Sequence, residues 1–99
     1  MHQINWSDIA KADYWKNIDY LLTDWTHKEA IDFIEKVDSI LKIIAINPKT
    51  FQRSGYKHTH LIPITSQITL YYRILDKNTV ELIRFWNNYQ DPKKLEIES

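Results

Sequence analysis

The chain of 99 residues contains no cysteine, one glycine and three prolines. Without cysteine it forms neither a disulfide nor a thiolate metal site. One glycine cannot build a phosphate-cradling loop, which needs several glycines to bring backbone N–H groups close to a phosphate. The sequence also lacks a Gly-x-Ser-x-Gly motif, and its acids are spread along the faces of predicted helices. Neither a serine hydrolase nor a two-carboxylate enzyme is indicated.

Long apolar segments are absent as well. No apolar run approaches the roughly 18 residues that a membrane span needs, and the N-terminus lacks the basic and apolar regions of a signal peptide. These absences, together with that of cysteine, predict a cytoplasmic protein. A chain of this size buries roughly 65% of its unfolded surface, enough for a hydrophobic core. We therefore expect residues 1 to 99 to form a single domain.

Charge is balanced in total but uneven along the chain. Residues 1 to 50 hold six Lys and eight Asp or Glu, a net charge of −2, whereas residues 51 to 94 hold seven Lys or Arg and three acids, a net charge of +4. A positive C-terminal half attracts a nucleic acid or an acidic peptide. The balanced total lacks the pI above about 9 of a strong nucleic-acid binder, so charge alone leaves both partners open.

The N-terminal half is predicted to form a short edge strand over residues 2 to 6, followed by two helices. Ser7 is the predicted N-cap of the first helix, which ends near residue 24. Thr26 and Glu29 form a capping box at the start of the second, and Asn47-Pro48 ends it. Three- and four-residue spacing predicts the buried stripes. These are Ala10, Tyr14, Ile18, Leu21 and Trp25 in the first helix, and Ala30, Phe33, Ile34, Val37, Ile40, Leu41 and Ile44 in the second.

The C-terminal half is predicted to form three consecutive strands. The first covers residues 56 to 64, after a turn in which Gly55 is expected to have positive φ, and Pro63 indicates an edge or a bulge. Period-two alternation predicts strands over residues 68 to 75 and 79 to 86, joined by a hairpin turn. Their alternating residues are Ile68, Leu70, Tyr72 and Ile74, then Val80, Leu82, Arg84 and Trp86. The predicted fold is α+β: a two-helix hairpin packed on a small antiparallel sheet of three C-terminal strands, with a short N-terminal strand.

Polar candidates for a site lie on these strands. His58 and His60 alternate and are expected to share a sheet face, a spacing suited to acid-base chemistry or metal ligation. With no third ligand in view, an ordinary surface pair is the alternative, and neither a metal nor another cofactor is expected. Arg73 and Arg84 lie on adjacent strands. Because Arg84 falls in an apolar register, it needs an anion: a phosphate, a partner's carboxylate or an acid of this same chain.

The first helix carries a second apolar face. Trp15 and Leu22 lie seven residues apart, off the main stripe, and Tyr20 is assigned to the same exposed side. Such a face on a small domain commonly marks a partner site. The alternative is that the sheet and the N-terminal strand bury the helix on two sides.

The order of elements and several short motifs resemble the RelE/ParE superfamily, bacterial toxins of type II toxin-antitoxin systems. The resemblance covers nearly the whole chain and depends on the order and spacing of its motifs rather than on any one of them. The matching segments are Trp6-Ser7 before a helix carrying Ala10, Asp13 and Asp19-Tyr20-Leu21, the Asn47-Pro48 stop, Leu70-Tyr71-Tyr72-Arg73-Ile74, Val80-Glu81-Leu82-Ile83-Arg84-Phe85 and Gln90-Asp91-Pro92.

The resemblance implies growth inhibition, of the kind linked to plasmid stabilisation, held in check by an antitoxin encoded alongside. RelE-like members cleave messenger RNA on the ribosome, whereas ParE-like members poison DNA gyrase and have no established catalytic residues. In our alignment His60 and Ile62 replace two lysines of the ribonuclease branch, Thr69 replaces an arginine, and Asn87-Asn88-Tyr89 stands where a basic residue usually follows the last strand. We therefore expect a ParE-like, non-enzymatic toxin. The alternatives are a RelE-type messenger-RNA endonuclease and an inactive binding module.

Two sets of candidate residues follow. For the ribonuclease alternative they are His58, His60, Arg73, Arg84 and Tyr89, the last as a terminal acid or a base-stacking platform, since ribonucleases of the family use a late tyrosine. Antitoxins of this kind wrap the toxin with an extended or helical segment, which would cover the exposed apolar face while its acids meet the basic half. The expected antitoxin-binding residues are Trp15, Tyr20, Leu22 and Arg84.

Overall fold

The computed structural model describes residues 1–56, 58–90 and 95. Within these residues the chain forms two helices and four strands, in the order β1 (Gln3–Trp6), α1 (Asp8–Asp24), α2 (His27–Ile46), β2 (Thr59–Pro63), β3 (Ile68–Ile74) and β4 (Thr79–Asn87). The strands form one sheet in the order β1-β4-β3-β2, with β1 parallel to β4 and the other pairs antiparallel. The predicted α+β fold is confirmed, and the N-terminal strand lies at the sheet edge.

Side-chain caps set where the helices begin. The Ser7 hydroxyl accepts a hydrogen bond from the Ala10 N–H at 3.0 Å, and the Thr26 hydroxyl accepts one from the Glu29 N–H at 3.2 Å. Each cap satisfies an N–H group that has no partner within the helix. Both helices therefore begin where the sequence predicted.

One core joins the helices to one face of the sheet. Its helical residues are Ala10, Ile18, Leu21, Ala30, Phe33, Val37, Ile40 and Ile44, and its sheet residues include Ile68, Leu70, Tyr72, Val80, Leu82 and Phe85. For two residues the prediction of a buried position is wrong. Ile34 is 40% exposed because it lies on the flank of the inward face of α2, and Trp25 is exposed because the chain leaves the helical conformation there, one residue after α1 ends.

A bulge changes the phase of β4. Tyr71 pairs with Arg84 but Tyr72 pairs with Leu82, so Ile83 is an extra residue in β4. A bulge of one residue moves the following side chains to the opposite face. Phe85 therefore enters the core after Leu82, and Arg84 starts from the opposite sheet face and reaches back to Asp13 of α1. The prediction that Arg84 continues the core-facing series is wrong for this reason, whereas Trp86 is buried, with a relative exposure of 5%.

The start of β2 also differs from its prediction. The strand begins at Thr59, and His58 lies in the turn before it with a φ of 50°. Among the described residues this is the one with positive φ, so the prediction that Gly55 has positive φ is wrong. Pro63 ends an edge strand, where its missing N–H costs no ladder bond.

Two further observations complete the fold. No helix in residues 1–56 and 58–90 is long and apolar enough to cross a membrane. Asp91-Pro92, which contributed to the family resemblance, lies outside the described residues.

Candidate functional site

Arg84 forms an ion pair with an acid of its own chain. Its Nε donates to Asp13 Oδ2 at 2.7 Å and its Nη2 donates to Oδ1 at 3.1 Å, a bidentate arrangement. The Arg84 side chain is 18% exposed and that of Asp13 is 11% exposed. The Arg84 guanidinium also lies 5.2 Å from the centroid of the Trp86 ring, within the range of a cation–π contact. Of the three anions considered for Arg84, the intramolecular one is present.

Asp13 belongs to a set of α1 side chains that replace a missing neighbour strand. Since β1 ends opposite Leu82, the rest of β4 has an open edge. There Ser7 Oγ donates to Ile83 O at 3.1 Å, the Phe85 N–H donates to Asp13 Oδ2 at 3.2 Å, and Asn17 Nδ2 donates to Phe85 O at 2.8 Å. These contacts satisfy backbone groups that are costly to bury unpaired.

Asn17 carries no role predicted from the sequence, and Asp13 is predicted only as a motif residue. The signal was available, because two polar residues four positions apart fall next to Ala10, Ile18 and Leu21 on the inward face of a helix. Polar side chains in such places need hydrogen-bond partners in the core.

The sheet face away from the helices carries cations and aromatic rings. Tyr71 lies opposite Arg84, and Arg73, two residues on, lies opposite Glu81. The Tyr71 ring contacts that of Tyr56 at a centroid distance of 5.7 Å, and burial raises the Tyr71 pKa, with a smaller contribution from Tyr56. The bulge thus places Arg73 and Arg84 on one face, although Arg84 was predicted to fall in the apolar register.

The two candidate histidines do not share that face. His60 lies opposite Tyr72, a core residue, and the two rings stack at a centroid distance of 5.3 Å. His58 precedes the strand, so the predicted pairing of the two side chains on one face is wrong. His60 Nδ1 is buried, with no hydrogen-bond partner among the described residues. Burial lowers the pKa of His60, and the positive charges of Arg53 and Lys49 lower it further.

His60 is expected to make the fold less stable in mild acid. Because its pKa in the folded state lies below the ordinary 6.5, the unfolded chain takes up the proton first as the pH falls, and the free energy of unfolding decreases. His60→Phe keeps an aromatic ring on Tyr72 and removes this titration. Urea unfolding should therefore show a smaller loss of stability between about pH 7 and about pH 5 in the variant than in the wild type.

The same substitution at His27, which is exposed on α2, is the control and should leave the acid-side loss as in the wild type. Equal losses in His60→Phe and the wild type would contradict the assignment.

Tyr89 stands apart from the other candidates. It follows the end of β4 and its side chain is 64% exposed, while its N–H donates to Asn87 Oδ1 at 2.9 Å. The ring is therefore accessible to a partner and does not pack on the sheet. The candidate catalytic residues thus lie in four places: the outer sheet face, the helix side of β2, the turn before β2, and the segment after β4.

The apolar surface of α1 is smaller than predicted. Trp15 is 64% exposed and Leu22 is also exposed. Tyr20 is instead partly buried against the core, and its hydroxyl accepts a hydrogen bond from Trp25 Nε1 at 2.9 Å. Five helical positions separate Tyr20 from Trp15, about 140° around the axis. Its assignment to the same exposed side is therefore wrong.

An apolar pocket adjoins Trp15. It has a volume of about 320 Å³ and is lined by Trp6, Lys11, Tyr14 and Trp15. The Tyr14 ring contacts those of Trp6 and Trp15 at centroid distances of 5.2 and 5.5 Å, both edge-to-face. This arrangement of rings leaves an accessible apolar depression with one lysine at its rim.

Comparison with known proteins gives structural relatives only. The sequence matches no protein-family model and no curated protein. A chromosomal ParDE TA system from P. aeruginosa is similar at a TM-score of 0.70 and 13% identity, over 88% of this chain and 96% of that one. The YoeB dimer from Staphylococcus aureus is similar at a TM-score of 0.62 and 19% identity, over 89% of this chain and 98% of that one. A heterotetrameric YoeB-YefM toxin-antitoxin complex from the same organism is similar at a TM-score of 0.60 and 19% identity, over 90% of this chain and 99% of that one.

The three structural similarities extend over almost all of this chain and of each related chain. At identities below 20% for these three structures they establish a shared fold. The resemblance predicted from the sequence is confirmed at that level.

Proposed function

We propose that this chain, which has the fold of the RelE/ParE toxins, is the toxin of a type II toxin-antitoxin pair and inhibits growth in the cytoplasm until a cognate antitoxin binds it. The main support is the match over nearly the full length of toxin structures. One of these structures is described as a toxin-antitoxin complex. Fold alone does not fix function, so the proposal also depends on the surfaces of this chain.

The proposed antitoxin surface is the exposed side of α1 together with the outer sheet face. Trp15 and Leu22 supply exposed apolar area, of the kind that marks partner sites on small domains. Arg84 contributes only if an antitoxin carboxylate shares or displaces Asp13, because the two already form a bidentate pair.

We favour the ParE-like mode, in which the toxin inhibits DNA gyrase without cleaving a substrate. Phosphodiester cleavage needs cations near the phosphate and an acid or base within reach of the same atoms. In this chain His60 lies on β2, with β3 between it and β4, and the Arg84 guanidinium of β4 is already paired with Asp13 of α1. Such a separation favours a binding mode of inhibition.

The second candidate is a ribosome-dependent messenger-RNA endonuclease. One observation favours it: the outer sheet face combines Tyr71, Arg73 and Arg84, and the Tyr89 ring is accessible beyond the end of β4. Cations with aromatic rings are the usual means of holding single-stranded nucleic acid. An inactive binding module with the same fold is the third reading.

Induction of the chain alone is expected to arrest bacterial growth, and co-expression of the protein encoded beside it should relieve the arrest. Primer extension on messages from arrested cells separates the two mechanisms. The gyrase mechanism predicts intact messages and a DNA-damage response, whereas new 5′ ends aligned with codons would overturn it. Tyr89→Phe, which removes one exposed hydroxyl, is the matched variant and should arrest growth as strongly as the wild type. Unimpeded growth on induction would remove the toxin proposal.

A further inference from the structure

The helix α2 carries a second stripe of residues beside the one that faces the core. Ile31, Ile34, Asp38, Leu41 and Ala45 follow one another at alternating steps of three and four residues. This is the seven-residue spacing of the positions that meet between two packed helices. Each member directly follows a core residue of α2, so the stripe lies about 100° around the helix axis from the core. We call these five positions the outer seam.

The two halves of the outer seam differ in shape. In the first half Ile31 is 54% exposed and Ile34 is 40% exposed, so two large apolar side chains project into solvent. In the second half Leu41 and Ala45 line a groove of about 570 Å³, together with Ile46, which is 70% exposed. One end of the seam therefore offers projecting isoleucines, and the other offers an apolar depression.

We infer that two copies of the chain associate through their outer seams, with the two α2 helices antiparallel and a two-fold axis passing at Asp38. Ile31 lies seven residues before Asp38 and Ala45 seven after it, so the axis brings Ile31 of each copy to Ala45 of the other. In the same way Ile34 of each copy meets Leu41 of the other. The isoleucines of each copy thus enter the groove of its partner, which makes the surface self-complementary, as a two-fold dimer requires.

Charges beside the outer seam favour the same arrangement. Glu35 lies three residues before Asp38 and Lys42 four after it, and both are exposed. In the antiparallel pair Glu35 of each copy therefore faces Lys42 of the other. Glu35 has no ion-pair partner among the residues that the structure describes, and Lys42 contacts only Asp38 of its own chain, at 3.2 Å. A parallel pair would instead bring like charges to the same level, which is unfavourable.

These features point to a second copy rather than to a foreign helix. A foreign helix would require only an apolar stripe on α2. The match of projecting isoleucines to a groove, and of Glu35 to Lys42, at positions related by symmetry about one residue is what self-association requires. Such an association does not depend on whether the chain is a toxin.

The dimer is expected to be weak. The outer seam covers 15 residues of α2, or about 22 Å of helix, which gives an interface at the small end of the known range. The two Asp38 carboxylates also meet at the axis and repel each other, although each has its own Lys42 beside it. We expect a dissociation constant on the order of 10 to 100 µM.

Sedimentation equilibrium on the full chain tests the inference with two matched variants. Ile34→Gln places a polar side chain in the outer seam and should raise the dissociation constant at least about tenfold. Ile43→Gln is the control, because Ile43 is similarly exposed, at 44%, but lies nine positions on and about 180° around the same helix. It should leave the dissociation constant unchanged. Circular dichroism checks that both variants keep the fold.

Charge reversal tests the antiparallel contact itself. Glu35→Lys and Lys42→Glu should each weaken self-association about tenfold, because either homodimer then contains two contacts between like charges. An equal mixture of the two variants should recover the dimer, since the mixed pair has opposite charges at both contacts. Both positions are exposed, so neither change disturbs the core.

Three results would overturn the inference, and each leaves the proposed toxin function standing. The first is a wild-type chain that sediments as a monomer up to about 1 mM. The second is self-association that Ile34→Gln and Ile43→Gln weaken equally. The third is a mixture of the two charge variants that associates no better than either variant alone. Failure of growth arrest, by contrast, would remove the toxin proposal without affecting the dimer.

Discussion

Replacing Asp13 with asparagine is expected to lower the free energy of unfolding by about 3 kcal/mol, because it leaves a largely buried guanidinium without its counterion. Asparagine keeps the size of the side chain and an oxygen that accepts from the Phe85 N–H, so the change removes the charge and the acceptor of Arg84 Nη2. The full effect for a buried pair reaches about 5 kcal/mol, but the Arg84 side chain is 18% exposed and water screens part of the loss. Urea unfolding at neutral pH measures the effect.

Asp19→Asn is the matched control for this prediction. Asp19 lies on the same helix and is exposed, so its loss should change stability by no more than about 0.5 kcal/mol. In the double variant Asp13→Asn with Arg84→Met the buried cation is also gone, and part of the lost stability should return. A loss below about 1 kcal/mol in Asp13→Asn would show that Arg84 does not depend on this carboxylate.

The ion pair also determines how any effect of Arg84→Ala on toxicity must be interpreted. Removing Arg84 alone leaves Asp13 buried and uncompensated, so toxicity and antitoxin affinity would fall through loss of the fold. The double variant separates the two effects, because it removes both charges. If it folds, arrests growth and is neutralised, then Arg84 has a purely structural role.

Local signals predicted the helices and most of the core. Ser7 and Thr26 cap their helices through hydrogen bonds made within four residues, and the stripes follow from helical spacing. Such features depend on neighbouring residues only, and a sequence contains them completely. The family resemblance, carried by motifs in order, likewise predicted the fold that the comparison with solved structures confirms.

The site depended on features that no local pattern contains. The bulge at Ile83 arises from pairing with a different strand, yet it decides that Phe85 rather than Arg84 enters the core. Asp13 and Arg84 are 71 positions apart in the sequence. The separation of His58 from His60 depends on a turn with positive φ at His58, where glycine is the usual residue. The sequence identified several residues of the candidate site, but which of them contact one another became known only from the tertiary structure.

Phe85 lies at the centre of an aromatic cluster that joins α1, α2 and β1 to β4. Its ring centroid lies 5.4 Å from that of Trp6, 5.6 Å from Tyr14 and 6.2 Å from Phe33. Phe85 is 1% exposed. Since its backbone N–H and C=O also bind Asp13 and Asn17, this one position connects both helices to the sheet.

Phe85→Ala is therefore expected to lower the free energy of unfolding by about 4 kcal/mol, through lost burial, the cavity left behind and the lost ring contacts. Urea unfolding measures it, with Trp15→Ala as the control. Trp15 is also a large aromatic residue, but it is 64% exposed, so its removal should cost no more than about 0.5 kcal/mol. The same control should weaken neutralisation by the antitoxin, because Trp15 adjoins the proposed partner surface. Similar losses of stability in the two variants would show that the core does not depend on Phe85 in this way.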